Sequence, residues 1–263
     1  MSEFHAAADP WEALRRHTAA RIALGRAGGS LPTRELLKFS YDHAEARDAV
    51  HSELDLDRLQ AELNGIGLPI ARVASRVSDR FTYLQRPDLG CRLDDAGRAQ
   101  LEEISNSRAN ELDIVLIVAD GLSALAAQLH AASVVGPLVE MLMGERYRLG
   151  PLVIARFARV ALQDEIGHLL NARAALILLG ERPGLGTADS LGAYLVFNPR
   201  PGNTNADRNC VSNIRPTGLP AAAAADTLHY LITESLRRRI SGIALKDERA
   251  AAIKGIANHV QSQ

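Results

Sequence analysis

The sequence has 263 residues but only two cysteines, Cys91 and Cys210. Two cysteines are too few for a disulfide framework in a chain of this size, so we expect a reducing compartment. The formal net charge is only −1, so composition favours neither a nucleic acid nor an anionic membrane as partner. No apolar run approaches the length of a membrane span, and the N-terminus lacks a signal-peptide core. These absences predict a soluble cytoplasmic protein.

The sequence motifs of several enzyme classes are also missing. The eight histidines are scattered, and no H-E-x-x-H or C-x-x-C string occurs, so no metal site is predicted. The chain contains no G-x-x-x-x-G-K-[ST] loop. A string that begins like a dinucleotide-binding motif at Gly184 has Asp189 in place of its last glycine, which disfavours a dinucleotide site.

The apolar residues, 47% of the chain, are enough for one large core or for one core with a smaller appended unit. From residue 111 onward, apolar runs alternate with stretches of helical periodicity. The predicted strands are 114–119, 151–157, 174–179 and 191–197, and the predicted helices are 122–133, 135–145, 163–171 and 221–240, with a last short helix starting at Asp247. This alternation predicts an α/β fold, with a Rossmann-like parallel sheet domain over residues 111–263.

Residues 1–110 contain no clear strand-like run and are predicted to form a helical N-terminal region. Helices are expected to start at Asp9-Pro10 and to cover residues 33–50, where Thr33 could be the cap, and 56–63. Residues 78–90 contain arginines, aromatics and a Pro-Asp turn. They could form a surface loop with its aromatic side chains turned inward, or a loop that contacts a partner.

Three loop positions are candidates for chemistry. Glu181 follows a buried strand that ends at Gly180, and open α/β sheets bind ligands at the carboxyl ends of their strands. Ser123 lies between a strand and a helix like the nucleophile of a serine hydrolase, although a residue there also commonly caps its helix. Asp207-Arg208 could be acid/base groups. No complete set of nucleophile, base and metal ligands is assembled, which suits a chain that helps to hold a cofactor.

Several sequence blocks, in this order along the chain, resemble the small (light) subunit of ethanolamine ammonia-lyase. The blocks are LRRHTAARIALGRAGGSLPT (14–33), HAEARDAVH (43–51), YLQRPDLG (83–90), ADGLSA (119–124), DEIG (164–167), GERPG (180–184), DSL (189–191) and NCVSNIR (209–215). Together they cover nearly the whole chain and are highly specific, although each alone is a weak signal.

The resemblance implies an adenosylcobalamin-dependent lyase that converts ethanolamine to acetaldehyde and ammonia by a radical mechanism. In this family a separate large subunit holds the substrate and most catalytic groups, and the small subunit covers the cobalamin at the subunit interface. The resemblance therefore implies no catalytic residue in this chain, a hetero-oligomer with the large subunit, and a location in the cytoplasm or a bacterial microcompartment.

The resemblance also implies three cofactor contacts, at Val160, Glu181 and Cys210. Val160 is expected to offer backbone polar groups or an apolar contact, and Glu181 to accept hydrogen bonds from the side-chain amides of the corrin. Cys210 is expected to be a small packing residue rather than a nucleophile, because a thiol is activated only in an electropositive environment. The alternative, a serine hydrolase that uses Ser123, stays open at this point.

Overall fold

Six strands form one mixed sheet in the computed structural model, which describes residues 9–108 and 110–249. The strands are β1 (Ile70–Ala74), β2 (Leu112–Ala119), β3 (Leu149–Arg156), β4 (Ala172–Gly180), β5 (Leu191–Phe197) and β6 (Arg208–Ile214). Their spatial order is β1-β3-β2-β4-β5-β6. The first four strands in this order run parallel, whereas β5 is antiparallel to β4 and to β6. The predicted α/β class is confirmed, but the prediction of a parallel sheet is wrong for β5, whose pairings with β4 and β6 are both antiparallel.

The described residues contain seven α-helices, five of which cover the two faces of the sheet. The seven helices are α1 (Thr33–His51), α2 (Leu56–Leu63), α3 (Arg80–Gln85), α4 (Asp95–Asn106), α5 (Ala124–Gly144), α6 (Leu162–Leu169) and α7 (Ala221–Arg238). Buried side chains of α2, α5 and α7 pack on one face of the sheet, and those of α4 and α6 pack on the other. Because β2 and β4 are buried on both faces, their sequences are almost continuously apolar.

Two strands differ from the expectations. β1 lies in the region predicted to be helical, where it pairs with β3 at the edge of the sheet. It has only five residues with the exposed Arg72 at its centre, so it lacks the continuous apolar run of a buried strand. β6 occupies the segment expected to be a loop before and through Cys210. The domain boundary near residue 110 stays a prediction.

The helical predictions were more accurate than those for the edge strands. Helices α1 and α2 match the predicted 33–50 and 56–63, although the side chain of Thr33 does not cap α1. The first predicted helix is only a 3₁₀ turn, Glu12–His17, and the preceding Trp11 is 64% exposed. The helix predicted at Asp247 falls largely outside the described residues.

The predicted helices 122–133 and 135–145 are one helix, α5, which continues through Pro137. Contrary to the expectation from the sequence, α5 is long and apolar enough to cross a membrane by length and composition. Nine of its 21 residues are buried, and the helix packs against β4 and α7. These contacts are those of a core helix.

Candidate functional site

The parallel strands β2, β3 and β4 have their carboxyl ends on the same side of the sheet. A cavity of about 420 Å³ lies beside these strand ends. Its wall includes Tyr83, Leu122, Val160, Leu179, Glu181 and Tyr194. Two of the three predicted cofactor contacts, Val160 and Glu181, therefore line the same cavity. The third, Cys210, does not line this cavity: it is the cross-strand partner of Tyr194 and lines a separate cavity beside α7.

Close contact between two glycines fixes the edge of the sheet between β2 and β4. Gly121, at a φ of +58°, lies in the turn after β2 and packs against the backbone of Gly180 at the end of β4. A Cβ atom on Gly121 would come within 2.3 Å of the carbonyl oxygen of Gly180. Backbone atoms therefore fill the gap between the ends of β2 and β4. The cavity lies beside this gap, at Val160 and Tyr194.

The carboxylate of Glu181 is anchored through one of its two oxygens. Oε2 accepts hydrogen bonds from the hydroxyl of Ser190 and, at 3.2 Å, from the backbone N–H of Asn213. Oε1 lies over Gly192, where a Cβ atom would be 2.9 Å away. Glu181 is thus held in place by β6 and by the start of β5, while its second oxygen remains available to a donor from a ligand.

Cys210 is exposed at the surface, but partial burial of its sulfur raises the pKa of the thiol. A raised pKa keeps the thiol protonated near neutral pH, and a protonated thiol is a poor nucleophile. This agrees with a packing role. Val160 is partly buried beside the apolar cluster of α4 and α6, just before α6 begins.

Buried Asp120 organises the loop that carries Val160. Its carboxylate accepts hydrogen bonds from the backbone N–H groups of Phe157 at 2.9 Å, Ala158 at 3.1 Å and Gly121 at 3.0 Å. Phe157 has a φ of +54°, an uncommon conformation for a residue with a side chain. Asp120 therefore stabilises a bend at the end of β3 that turns the chain into the cavity wall.

The pH dependence of stability should report the titration of Asp120. Burial raises the pKa of its carboxyl from 3.8 to about 6, so the folded chain retains a proton that the unfolded chain loses between these values. Its contribution to stability is full below about pH 4 and is lost as the pH rises through about 6. Urea unfolding of wild type and Asp120→Asn should show the wild type losing up to about 3 kcal/mol relative to the variant across this window. If the free energies of unfolding of the two proteins changed in parallel with pH, the raised pKa of Asp120 would be contradicted.

Ser123 is fully buried and caps α5. Its hydroxyl accepts a hydrogen bond from the backbone N–H of Ala126 at 3.3 Å and donates one to the carbonyl oxygen of Ala188 at 2.9 Å. A serine hydrolase would also need a histidine later in the chain, but His168 lines a cavity at the opposite end of the strands and His229 lies 3.0 Å from Glu145. The capping interpretation is therefore confirmed, and the arrangement gives no support to a serine nucleophile.

Asp207 and Arg208, left open as acid/base groups, have structural partners. Asp207 accepts hydrogen bonds from the backbone and side chain of Thr204. Arg208 is buried in an ion pair with Asp164 of α6. Three further residues of the cavity wall, Tyr83, Arg159 and Tyr194, were not expected from the sequence, because only the packing of distant segments brings them together.

Residues 78–90 include the short helix α3, and one of their two aromatic side chains is turned inward; contact of this segment with a partner stays a prediction. Tyr83 is fully buried, and its hydroxyl donates to the carbonyl oxygen of Ala158 at 2.9 Å. Phe81 points outward and is 70% exposed. Gly90 packs against the loop after β3, where a Cβ atom would lie 2.8 Å from the side chain of Arg159. This segment therefore supports the cavity wall on its inner side.

The sequence of the chain matches those of known proteins over most of its length. Residues 8–246 match the family described as ethanolamine ammonia-lyase light chain (EutC). The chain is 52% identical over 235 residues to an ethanolamine ammonia-lyase small subunit of Rhodopseudomonas palustris, covering 89% of each chain. It is 51% identical over 244 residues to a protein of the same name from Azotobacter vinelandii, covering 93% of this chain and 90% of that protein. The resemblance seen in the sequence blocks is confirmed, and the chain belongs to the ethanolamine ammonia-lyase light-chain family.

Proposed function

We propose that this chain is the small subunit of an adenosylcobalamin-dependent ethanolamine ammonia-lyase and covers part of the cofactor at its interface with a large subunit. The observation that carries the proposal is that Val160 and Glu181 line one cavity in a chain of this family, with Cys210 paired across the strands to Tyr194 of its wall. In this proposal the parallel strands β1 to β4 form the Rossmann-like part of the sheet, and β5 and β6 extend it.

The residues of the cavity fit the periphery of a corrinoid. The volume of about 420 Å³ is that of a pocket for a small molecule, so it would take only one side of so large a cofactor. The side-chain amides of a corrin can donate to the free oxygen of Glu181. Arg159 lines the same cavity, and its buried Nε has no hydrogen-bond partner among the described residues, as expected of a donor awaiting a ligand.

The bound cofactor would supply radical chemistry through homolysis of its cobalt–carbon bond, and this chain would bind and orient it. Glu181 would fix the rotation of the corrin by accepting from an amide. Val160, Leu179 and Tyr194 would exclude water from the covered side, and the protonated thiol of Cys210 would add a small packing contact. The large subunit would hold ethanolamine.

Co-expression with a large subunit tests the proposal most directly. We expect the two chains to co-purify, to bind adenosylcobalamin and to convert ethanolamine to acetaldehyde and ammonia. A purified pair that takes up no adenosylcobalamin would overturn the proposal. Cobalamin uptake without turnover would instead indicate a binding module.

Replacing Glu181 with glutamine should weaken cofactor binding. The variant loses a charged acceptor, and hydrogen bonds to charged groups contribute about 1.5–3 kcal/mol, so the Kd for adenosylcobalamin should rise roughly tenfold or more. The measurement is spectroscopic titration of the two-subunit complex. Glu111→Gln is the matched control, because Glu111 lines the cavity at the other end of the strands and its replacement should leave the Kd unchanged. Wild-type affinity and turnover in Glu181→Gln would remove the assigned role.

A further inference from the structure

Arg159 is a charged residue of the cavity wall whose side chain is only partly satisfied. Its guanidinium lies over the ring of Tyr83, 4.1 Å from the centroid, and its Nη2 donates to the carbonyl oxygen of Tyr83 at 3.0 Å. Within residues 9–108 and 110–249 its buried Nε has no hydrogen-bond partner, and the side chain forms no ion pair. A buried donor without a partner is costly, so its retention requires an explanation.

A second arginine over the same ring, Arg80, has a purely structural role. Arg80 lies 4.8 Å from the centroid of Tyr83. Its Nε donates to the carbonyl oxygen of Val50, Nη1 to that of Gly121 and Nη2 to that of Leu122. Arg80 thus uses all three nitrogens to join three segments, whereas Arg159 uses one. The ring of Tyr83 orients the guanidinium groups of both arginines, but of the two only Arg159 lines the cavity.

The charges of the cavity restrict the chemistry of the group that Arg159 can bind. Arg159 and Arg182 offer N–H donors, and Glu181 offers a carboxylate oxygen on the same cavity. An anionic ligand group would be attracted by the two arginines, but Glu181 would repel it and would gain no donor from it. A primary amide satisfies both an arginine and Glu181, because its oxygen accepts from a guanidinium and its nitrogen donates to a carboxylate.

We propose that Arg159 binds the carbonyl oxygen of a peripheral amide of the corrinoid. This inference rests on the proposed function, since it needs a corrinoid in the cavity. Arg159 is then a cofactor-binding residue in addition to Val160, Glu181 and Cys210, and it fixes the cofactor by a charge-assisted hydrogen bond rather than by packing.

The test compares the Arg159→Met complex with the wild-type complex of small and large subunits. Each is titrated with adenosylcobalamin and with adenosylcobinamide, which keeps the corrin amides but lacks the phosphate-bearing nucleotide tail. We expect the Kd of Arg159→Met to rise roughly tenfold or more for both ligands, the usual loss for a charged hydrogen bond. Arg159→Gln, which keeps a neutral N–H donor, should show a smaller rise and guards against a folding defect in the methionine variant.

Arg156→Met is the matched control. Arg156 also stacks on an aromatic ring, 4.6 Å from the centroid of Phe157, but it does not line the cavity. Its replacement should leave both affinities unchanged. Wild-type affinities in Arg159→Met and Arg159→Gln would overturn the inference, and a loss confined to adenosylcobalamin would overturn the choice of an amide in favour of the phosphate. A wild-type complex that binds neither ligand would instead overturn the proposed function.

Discussion

Replacing Gly180 with alanine is expected to destabilise the chain by about 3 kcal/mol or more, because backbone atoms occupy the space of the new methyl group. A Cβ atom at this position would lie 1.9 Å from the carbonyl oxygen of Ser123 and 2.8 Å from that of Asp120. Neither oxygen can rotate away as the end of a side chain could. Relief requires separating β4 from the turn after β2, and this would also displace Glu181.

Urea unfolding followed by circular dichroism measures this loss, and Gly144→Ala is its control. Gly144 is the last residue of α5, where a Cβ atom meets no atom of another segment within 4 Å. Alanine there should be neutral or should stabilise the helix by up to about 1 kcal/mol. If Gly180→Ala unfolded at the same urea concentration as the wild type, the close contact between Gly180 and the turn after β2 would not be needed for stability.

Replacing Asp164 with alanine is expected to cost about 3–5 kcal/mol, because it leaves the charge of Arg208 buried without its partner. The side chains of Asp164 and Arg208 are only 4% and 3% exposed. Their ion pair joins the start of α6, next to Val160, to the start of β6, which carries Cys210. We therefore expect cofactor affinity to fall together with stability.

A double variant distinguishes the loss of the pair from the burial of a single charge. Asp164→Leu combined with Arg208→Met removes both charges, so it should recover most of the stability lost in Asp164→Ala. Asp88→Ala is the surface control. It breaks the exposed ion pair with Arg86 and should cost less than about 1 kcal/mol. Equal losses of stability in Asp164→Ala and Asp88→Ala would show that the burial of the Asp164–Arg208 ion pair does not matter.

The sequence predicted the central strands better than the edges, for a physical reason. Strands β2, β3 and β4 are covered on both faces, and burial on both sides selects an uninterrupted apolar run. In strand β6 the residues Cys210, Ser212 and Asn213 are exposed, and its largely polar sequence resembles that of a loop. The direction of β5 was missed because an apolar run does not specify whether it pairs in a parallel or an antiparallel manner.

The candidate site was predicted only in part. Glu181 was indicated by its position after a buried strand as well as by resemblance, whereas Val160 was indicated by resemblance alone. Arg159 was missed because its significance depends on Tyr83, 76 positions earlier in the chain. Asp120 was visible as a polar residue directly after a buried strand, but its three backbone partners depend on how β2 and β3 lie side by side.

The position of the single tryptophan determines what intrinsic fluorescence can report. Trp11 is solvent-exposed and precedes a short 3₁₀ turn, outside the apolar clusters that cover the sheet. Its emission should change little when the sheet melts. A blue shift on mixing with another polypeptide would instead signal that the segment around Trp11 has become shielded from water, and it would do so without any added dye.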